Sequence, residues 1–275
     1  MNVFLAFGNA VLILVFLHLA GCGGPAAKAK PPPQQTAQTA APRQPEAADV
    51  IIPSFLFPER RTVDDVLQQY GPYAVEQLKP HFQRAGVAYP PREIVLAAYK
   101  AERVLELWAR DEGGFRLIRE YPVLAASGTA GPKLRQGDKQ VPEGIYRIEG
   151  LNPNSHYHLS MKLDYPNEFD WYHAEQDGRD NPGSDIFIHG KDVSVGCLAI
   201  GDAAIEELFV LVAQTGHDHV SVVIAPHDPR LVPLKADREW LPEWTPELYA
   251  AIDRELARLA PPLRTSANPA QRTLR

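Results

Sequence analysis

The chain has 275 residues, 34 acidic against 28 basic, and a formal net charge of −6. Acids and bases are interspersed, and no Lys or Arg block is long enough to follow a nucleic-acid backbone, which argues against nucleic acid as a partner. The stretch able to build a core, roughly residues 50–262, suits one sizeable catalytic domain with trimmings.

An apolar run from Val3 to Ala20 closes with Leu19-Ala20-Gly21-Cys22. A small-residue site before cysteine is the pattern of a lipoprotein export signal, in which residues 1–21 are removed and Cys22 is lipidated. No Lys or Arg precedes Phe4, so the amino terminus alone supplies the positive charge. A membrane anchor and an ordinary cleaved signal are the alternatives, and either still exports the chain. Residues 22–49 are almost wholly Ala, Pro, Gln, Thr and Lys without an aromatic residue, which predicts a disordered tether. Extended, it reaches on the order of 90 Å. The expected location is the cell envelope, periplasmic and lipid-anchored to a membrane, the outer one.

Residues 50–91 read as a helical extension. Thr62 caps a short helix holding Val63, Val66, Leu67 and Tyr70, with Asp64 and Asp65 near its positive end. Gly71-Pro72 is expected to break it. A second helix, Tyr73 to Ala85, is interrupted by Pro80 and ended by Gly86 through Pro91.

From Glu93 the texture turns to short strands: Ile94 to Lys100, Val104 to Ala109 and Phe115 to Val123, an antiparallel meander. Further strands are predicted over Ile145 to Glu149, Tyr157 to Leu163 and Asp185 to Ile188, with a long polar loop from Asp164 to Ser184 as a possible wall of a cleft. Asp202 caps a helix with Ile205, Leu208, Phe209 and Val212 on one face. Val220 to Ala225 is the last strand. Thr245 caps a final helix with Pro246 in its first turn, inside a C-terminal helical extension over 229–262, and 263–275 reads as a disordered tail.

The run Ile188-His189-Gly190-Lys191-Asp192-Val193-Ser194-Val195-Gly196-Cys197 sets an imidazole eight positions before a cysteine. A free thiol is mostly protonated at neutral pH, so attack on an amide carbonyl benefits from a neighbouring base, and His189 is the natural one. Gly196 would let the chain turn so that the amides of Gly196 and Cys197 face a developing oxyanion, with Ser194 bracing the turn. The bland readings are a buried inert cysteine, or a disulfide to Cys22 if Cys22 carries no lipid. Tyr157 and His158 are candidate cleft residues, although strand alternation would send only one inward. Asn167 is a weaker substrate-binding candidate, as are Asp170 and His173. His217, Asp218 and His219 have unspecific spacing for zinc. No metal or organic cofactor is expected.

The His189-to-Cys197 segment, with Pro142-Glu143-Gly144-Ile145-Tyr146, resembles the YkuD-type L,D-transpeptidases, bacterial cell-wall enzymes with a cysteine nucleophile. The likeness is closest to the YafK-like branch of murein L,D-transpeptidases. It runs through Leu105-Glu106-Leu107-Trp108, Ser127-Gly128, Gly131-Pro132-Lys133, Gly137-Asp138-Lys139-Gln140, Leu151-Asn152-Pro153-Asn154-Ser155, Tyr157-His158-Leu159-Ser160 and Ile205-Glu206-Glu207. Two departures stand out: the family's usual Ser-His-Gly-Cys is Ser194-Val195-Gly196-Cys197, and the polar residue common two places after the cysteine is Ala199.

The resemblance implies a mainly β fold, a YkuD-like β-sandwich with a few flanking helices, whose catalytic domain spans 92–228. It implies that the Gly190 carbonyl orients the His189 ring in place of an Asp. It further implies attack by Cys197 on the carbonyl at the L-centre of an L,D-peptide bond in peptidoglycan stem peptides, through a thioester. An amine resolving the thioester makes a transpeptidase, and water makes a hydrolase of the same bond. A non-catalytic wall-binding lipoprotein is the alternative from a different class.

Overall fold

The computed structural model describes residues 60–259. The expected export signal (1–21), Cys22, the tether (22–49) and the tail (263–275) lie outside them. Among the described residues no helix is long and apolar enough to cross a membrane.

A capping box opens α1 (Val63–Ala85): the Thr62 hydroxyl accepts from the Asp65 amide and the Asp65 carboxylate accepts from the Thr62 amide. The expected break at Gly71-Pro72 does not occur, and one helix runs through both Pro72 and Pro80. The reason lies in which face each residue occupies. Val66, Ala74, Leu78 and Phe82 are buried along one side, while both prolines sit on the exposed side. The carbonyls four places back belong to exposed Gln68 and Glu76, so solvent is available to take the place of the missing amide. Each buried side chain contributes about 1.5–3 kcal/mol, enough to outweigh a proline penalty of about 3 kcal/mol.

Nine strands form one curled sheet in the order β3-β2-β1-β9-β5-β6-β7-β8-β4. They are β1 (Ile94–Tyr99), β2 (Val104–Asp111), β3 (Gly114–Pro122), β4 (Ala125–Ala126), β5 (Gly144–Asn152), β6 (Ser160–Leu163), β7 (Phe187–His189), β8 (Leu198–Ala199) and β9 (Val220–Ala225). β1, β2 and β3 make the expected meander, and β1 lies parallel to β9 with Ile94 opposite Val220. Strand alternation divides β1 between two cores. Leu96 and Ala98 join the larger cluster with α1 and α3 (Asp202–Thr215), and Val95, Ala97 and Tyr99 join the cluster under α4 (Thr245–Ala257). The fold is thus mainly β with flanking helices, and its layers are helices on both faces of one sheet.

Three local expectations change. The loop from Asp164 to Ser184 contains α2 (Glu168–Gln176), capped by Asn167, whose side-chain oxygen accepts from the amides of Phe169 and Asp170. Thr245 is the first residue of α4 and Trp244 its cap, with the Thr245 hydroxyl donating to the Pro242 carbonyl. α3 is capped by Gly201 without a side-chain bond, because the Asp202 carboxylate accepts from the Lys191 amide at 2.8 Å instead.

Candidate active site

β7 and β8 run parallel, with Ile188 opposite Leu198 and His189 opposite Ala199. Ile188 and Leu198 point into the larger core, so alternation turns His189 and Ala199 to the opposite face. Cys197 stands immediately before β8, one place from Leu198 and two from Ala199. Strand spacing and rise put the backbone of such a diagonal pair about 8 Å apart. His189 is almost fully buried, whereas Cys197 is half-buried and free.

The turn ahead of Cys197 is held by two serines. Ser194 Oγ donates to the Cys197 carbonyl at 2.6 Å and accepts from the Cys197 amide at 3.1 Å. The Gly196 amide donates to Ser127 Oγ at 2.6 Å, and the two hydroxyl oxygens lie 3.5 Å apart. Gly196 has φ 111°, a conformation that demands glycine. The amides of Gly196 and Cys197, expected to face an oxyanion, therefore already have hydroxyl partners. The Cys197 thiol itself donates to the Asp185 carbonyl oxygen at 3.8 Å rather than to the imidazole. Burial is the main influence on the thiol and pushes its pKa up, the Asp185 charge adding to it, while a backbone hydrogen bond from Phe187 and the Lys133 charge oppose it.

His189 Nδ1 lies 2.6 Å from the Gly190 carbonyl. A carbonyl only accepts, so Nδ1 carries the proton and Nε2 keeps a lone pair for proton abstraction. Burial lowers the pKa of the ring, with the Gly190 carbonyl pulling the other way. At rest the imidazole is thus a neutral base and the Cys197 thiol is protonated. The ring is covered by Tyr157, centroids 4.5 Å apart and planes tilted by 33°. Gly190 has no room for a side chain: a Cβ would lie 2.6 Å from Asp202 Oδ1 and 2.7 Å from the Tyr157 carbonyl oxygen.

Tyr157 and His158 are not on a strand, as β6 begins at Ser160 and His158 adopts φ 75° in a turn. Tyr157 reaches the candidate base, whereas His158 Nε2 pairs with Glu206 Oε1 at 2.7 Å on α3. Asn167 spends its side chain on the α2 cap and on the Ile145 carbonyl, to which its amide donates at 3.0 Å. Asp170, in the same capping box, is pushed up to about 7 by burial. His173 is buried and stacked on Trp244 at 4.5 Å. His217, Asp218 and His219 form a short 3₁₀ turn before β9. Sequence reasoning gave no role to Ser127, whose only signal was its place in the Ser127-Gly128 motif.

Residues 93–224 match the family model described as the L,D-transpeptidase catalytic domain, YkuD. Among curated proteins, "Putative L,D-transpeptidase YafK" of Escherichia coli strain K12 is 33% identical over 138 residues, 48% of this chain and 54% of that protein. The same-named protein of Escherichia coli O157:H7 matches to the same extent. The chain spans about half the length of the curated relatives it matches, 54% of each. Among solved structures, the helical cell shape determining protein Pgp2 of Campylobacter jejuni is 20% identical with a TM-score of 0.42, over 54% of each chain. Bd1075 of Bdellovibrio bacteriovorus is 19% identical with a TM-score of 0.36, over 61% of this chain and 55% of that one.

Proposed function

We propose that this protein is an exported, lipid-anchored cysteine L,D-transpeptidase that acts on peptidoglycan stem peptides, a reading supported by the match of residues 93–224 to the YkuD family model of L,D-transpeptidase catalytic domains. The observation that carries the reading is the Nδ1 contact to the Gly190 carbonyl at 2.6 Å. It leaves Nε2 as the acceptor on the sheet face where Cys197 follows the braced turn. A neutral imidazole and a protonated thiol suit general-base activation, in which the proton leaves sulfur as the S–C bond forms.

In this reading the sulfur leaves the Asp185 carbonyl, turns toward His189 and attacks the carbonyl of the donor peptide. The tetrahedral adduct collapses as the C–N bond breaks, and His189 returns the proton to the departing amine. The acceptor amine then attacks the thioester, gives its proton to His189 and releases Cys197 as the thiol. Export and the anchor at Cys22 rest on the Leu19-Ala20-Gly21-Cys22 pattern alone.

The test is incubation with purified muropeptides, followed by mass, alongside a Cys197→Ala variant. A new crosslinked dimer or an exchanged terminal residue, absent in the variant, is the expected result. A gain of water reassigns the same site to hydrolysis. Unchanged muropeptides together with an unmodified Cys197 would overturn both outcomes.

A further inference from the structure

Two clefts meet at one guanidinium. The first, about 490 Å³, is lined by Glu168, Trp171, Tyr172, Glu175 and Arg179. The second, about 570 Å³, also contains Arg179 and runs to Gln140 and Asp138. Gln140 borders the nucleophile turn, its carbonyl oxygen lying 3.6 Å from where a Cβ on Gly196 would stand. Arg179 thus lines both clefts, and Gln140, on the second of them, also neighbours the turn before Cys197.

The chemistry of the far end is specific. Residues 168, 171, 172 and 175 fall at i, i+3, i+4 and i+7 and share one helical face. Trp171 is 49% exposed and Tyr172 57%, a large amount of aromatic surface to leave wet without an occupant. Glu168 and Glu175 flank the rings, both exposed. Arg179 is held in place by Asp177, to which Nε and Nη2 donate, and by the Leu134 carbonyl, to which Nη1 donates at 2.7 Å. Its guanidinium keeps two donors for a ligand. An aromatic platform edged by hydrogen-bond acceptors and a few fixed donors matches a pyranose ring, which has an apolar C–H face and a rim of hydroxyls. It matches an anionic surface poorly, because the two carboxylates would repel it.

We infer that the outer face of α2 is a saccharide subsite that seats the glycan strand bearing the stem peptide, with Trp171 and Tyr172 stacking on sugar rings. The inference rests on the peptidoglycan reading above and names the second half of its substrate. One amphipathic substrate would then present its peptide to the thiol and its sugar to the aromatic pair on α2.

The test needs no turnover, so its failure and that of the transpeptidase reading are distinguishable. Cys197→Ala protein is titrated with the β-1,4-linked N-acetylglucosamine tetramer, and binding is read from tryptophan fluorescence and from saturation transfer to the sugar. Saturable binding is expected, weakened about five-fold or more by Trp171→Ala, the scale of one aromatic contact, and retained by Trp171→Phe. Thermal midpoints of all three proteins should agree, since the ring is half exposed. Absence of saturable binding, or equal affinity in Trp171→Ala, would overturn the assignment.

Discussion

The amide of Gly196 donates to the hydroxyl of Ser127 across a separation of 69 residues in the chain, at 2.6 Å. That bond ties the turn before the candidate nucleophile to the loop that follows β4, and Ser194 ties the same turn to itself. The position of the sulfur thus depends on a residue far away in sequence.

Ser127→Ala should therefore slow acylation of Cys197 while leaving the fold intact. A part-buried amide without its partner costs about 1–3 kcal/mol, and a turn that wanders by that amount should react about ten-fold more slowly. Ser127→Thr, which keeps the hydroxyl, should recover most of the rate. Acylation by a carbapenem, timed by intact mass, measures all three proteins. Equal rates for Ser127→Ala and the parent would remove Ser127 from the account.

The pH profile separates base from nucleophile. Burial lowers the His189 pKa below 6.5, so the base stays unprotonated at neutral pH and gains a proton only in acid. Acylation should rise as the pH climbs through the acidic range and be flat around neutrality. His189→Ala should lose at least about 100-fold at pH 7. Its residual reactivity should return only above the ordinary thiol range, because burial holds the Cys197 proton on sulfur. Superimposable profiles would exclude His189 as the base.

Gly190→Ala tests the space around the candidate base. The new Cβ would meet the Tyr157 backbone oxygen at 2.7 Å, which no side-chain rotation relieves. Overpacking of this kind costs about 1–3 kcal/mol, and the carbonyl that fixes the His189 tautomer would shift with it. A lower urea midpoint and slower acylation are expected together. An unchanged midpoint would show that the turn has slack.

Asp170 makes stability fall as the pH rises. Its pKa is raised from 3.8 to about 7 in the folded protein, with burial the largest cause. Below about pH 4 both states hold the proton and the group contributes nothing. Between there and about pH 7 the unfolded chain ionises first, and the folded state loses up to a few kcal/mol, a penalty that stays constant above. Asp170→Asn should flatten this slope, so that parent and variant diverge from pH 4.5 to pH 8 in urea titrations. Parallel curves would mean that Asp170 is ionised in the fold.

Much of this architecture was legible from pattern, because the strands of the meander, β9 and the apolar face of α3 carry periodicities that a core selects. What was missed has physical causes. The helix α1 crosses Gly71-Pro72 because its buried stripe, not its local propensity, decides the outcome. The helix α2 has only His173 and Ala174 buried and so no apolar stripe, although Asn167 and Asp170 at capping-box spacing were a usable signal. His158 looked like strand because its neighbours are apolar, but a positive φ ends any ladder there. His189 and Cys197 were readable as a local motif. The hydroxyl that engages the Gly196 amide was not, since nothing local marks a bond between residues 127 and 196.

The place of β9 in the sheet has a consequence for how the chain is made. It sits between β1 and β5, although it is the last strand in sequence among the described residues. A nascent chain that ends at residue 219 holds two separate ribbons, β3-β2-β1 on one side and β5-β6-β7-β8-β4 on the other, each with an open flank. Six residues, Val220–Ala225, close both flanks at once. Truncation just upstream would therefore leave two sticky half-sheets, and the keystone must arrive before the arch can stand.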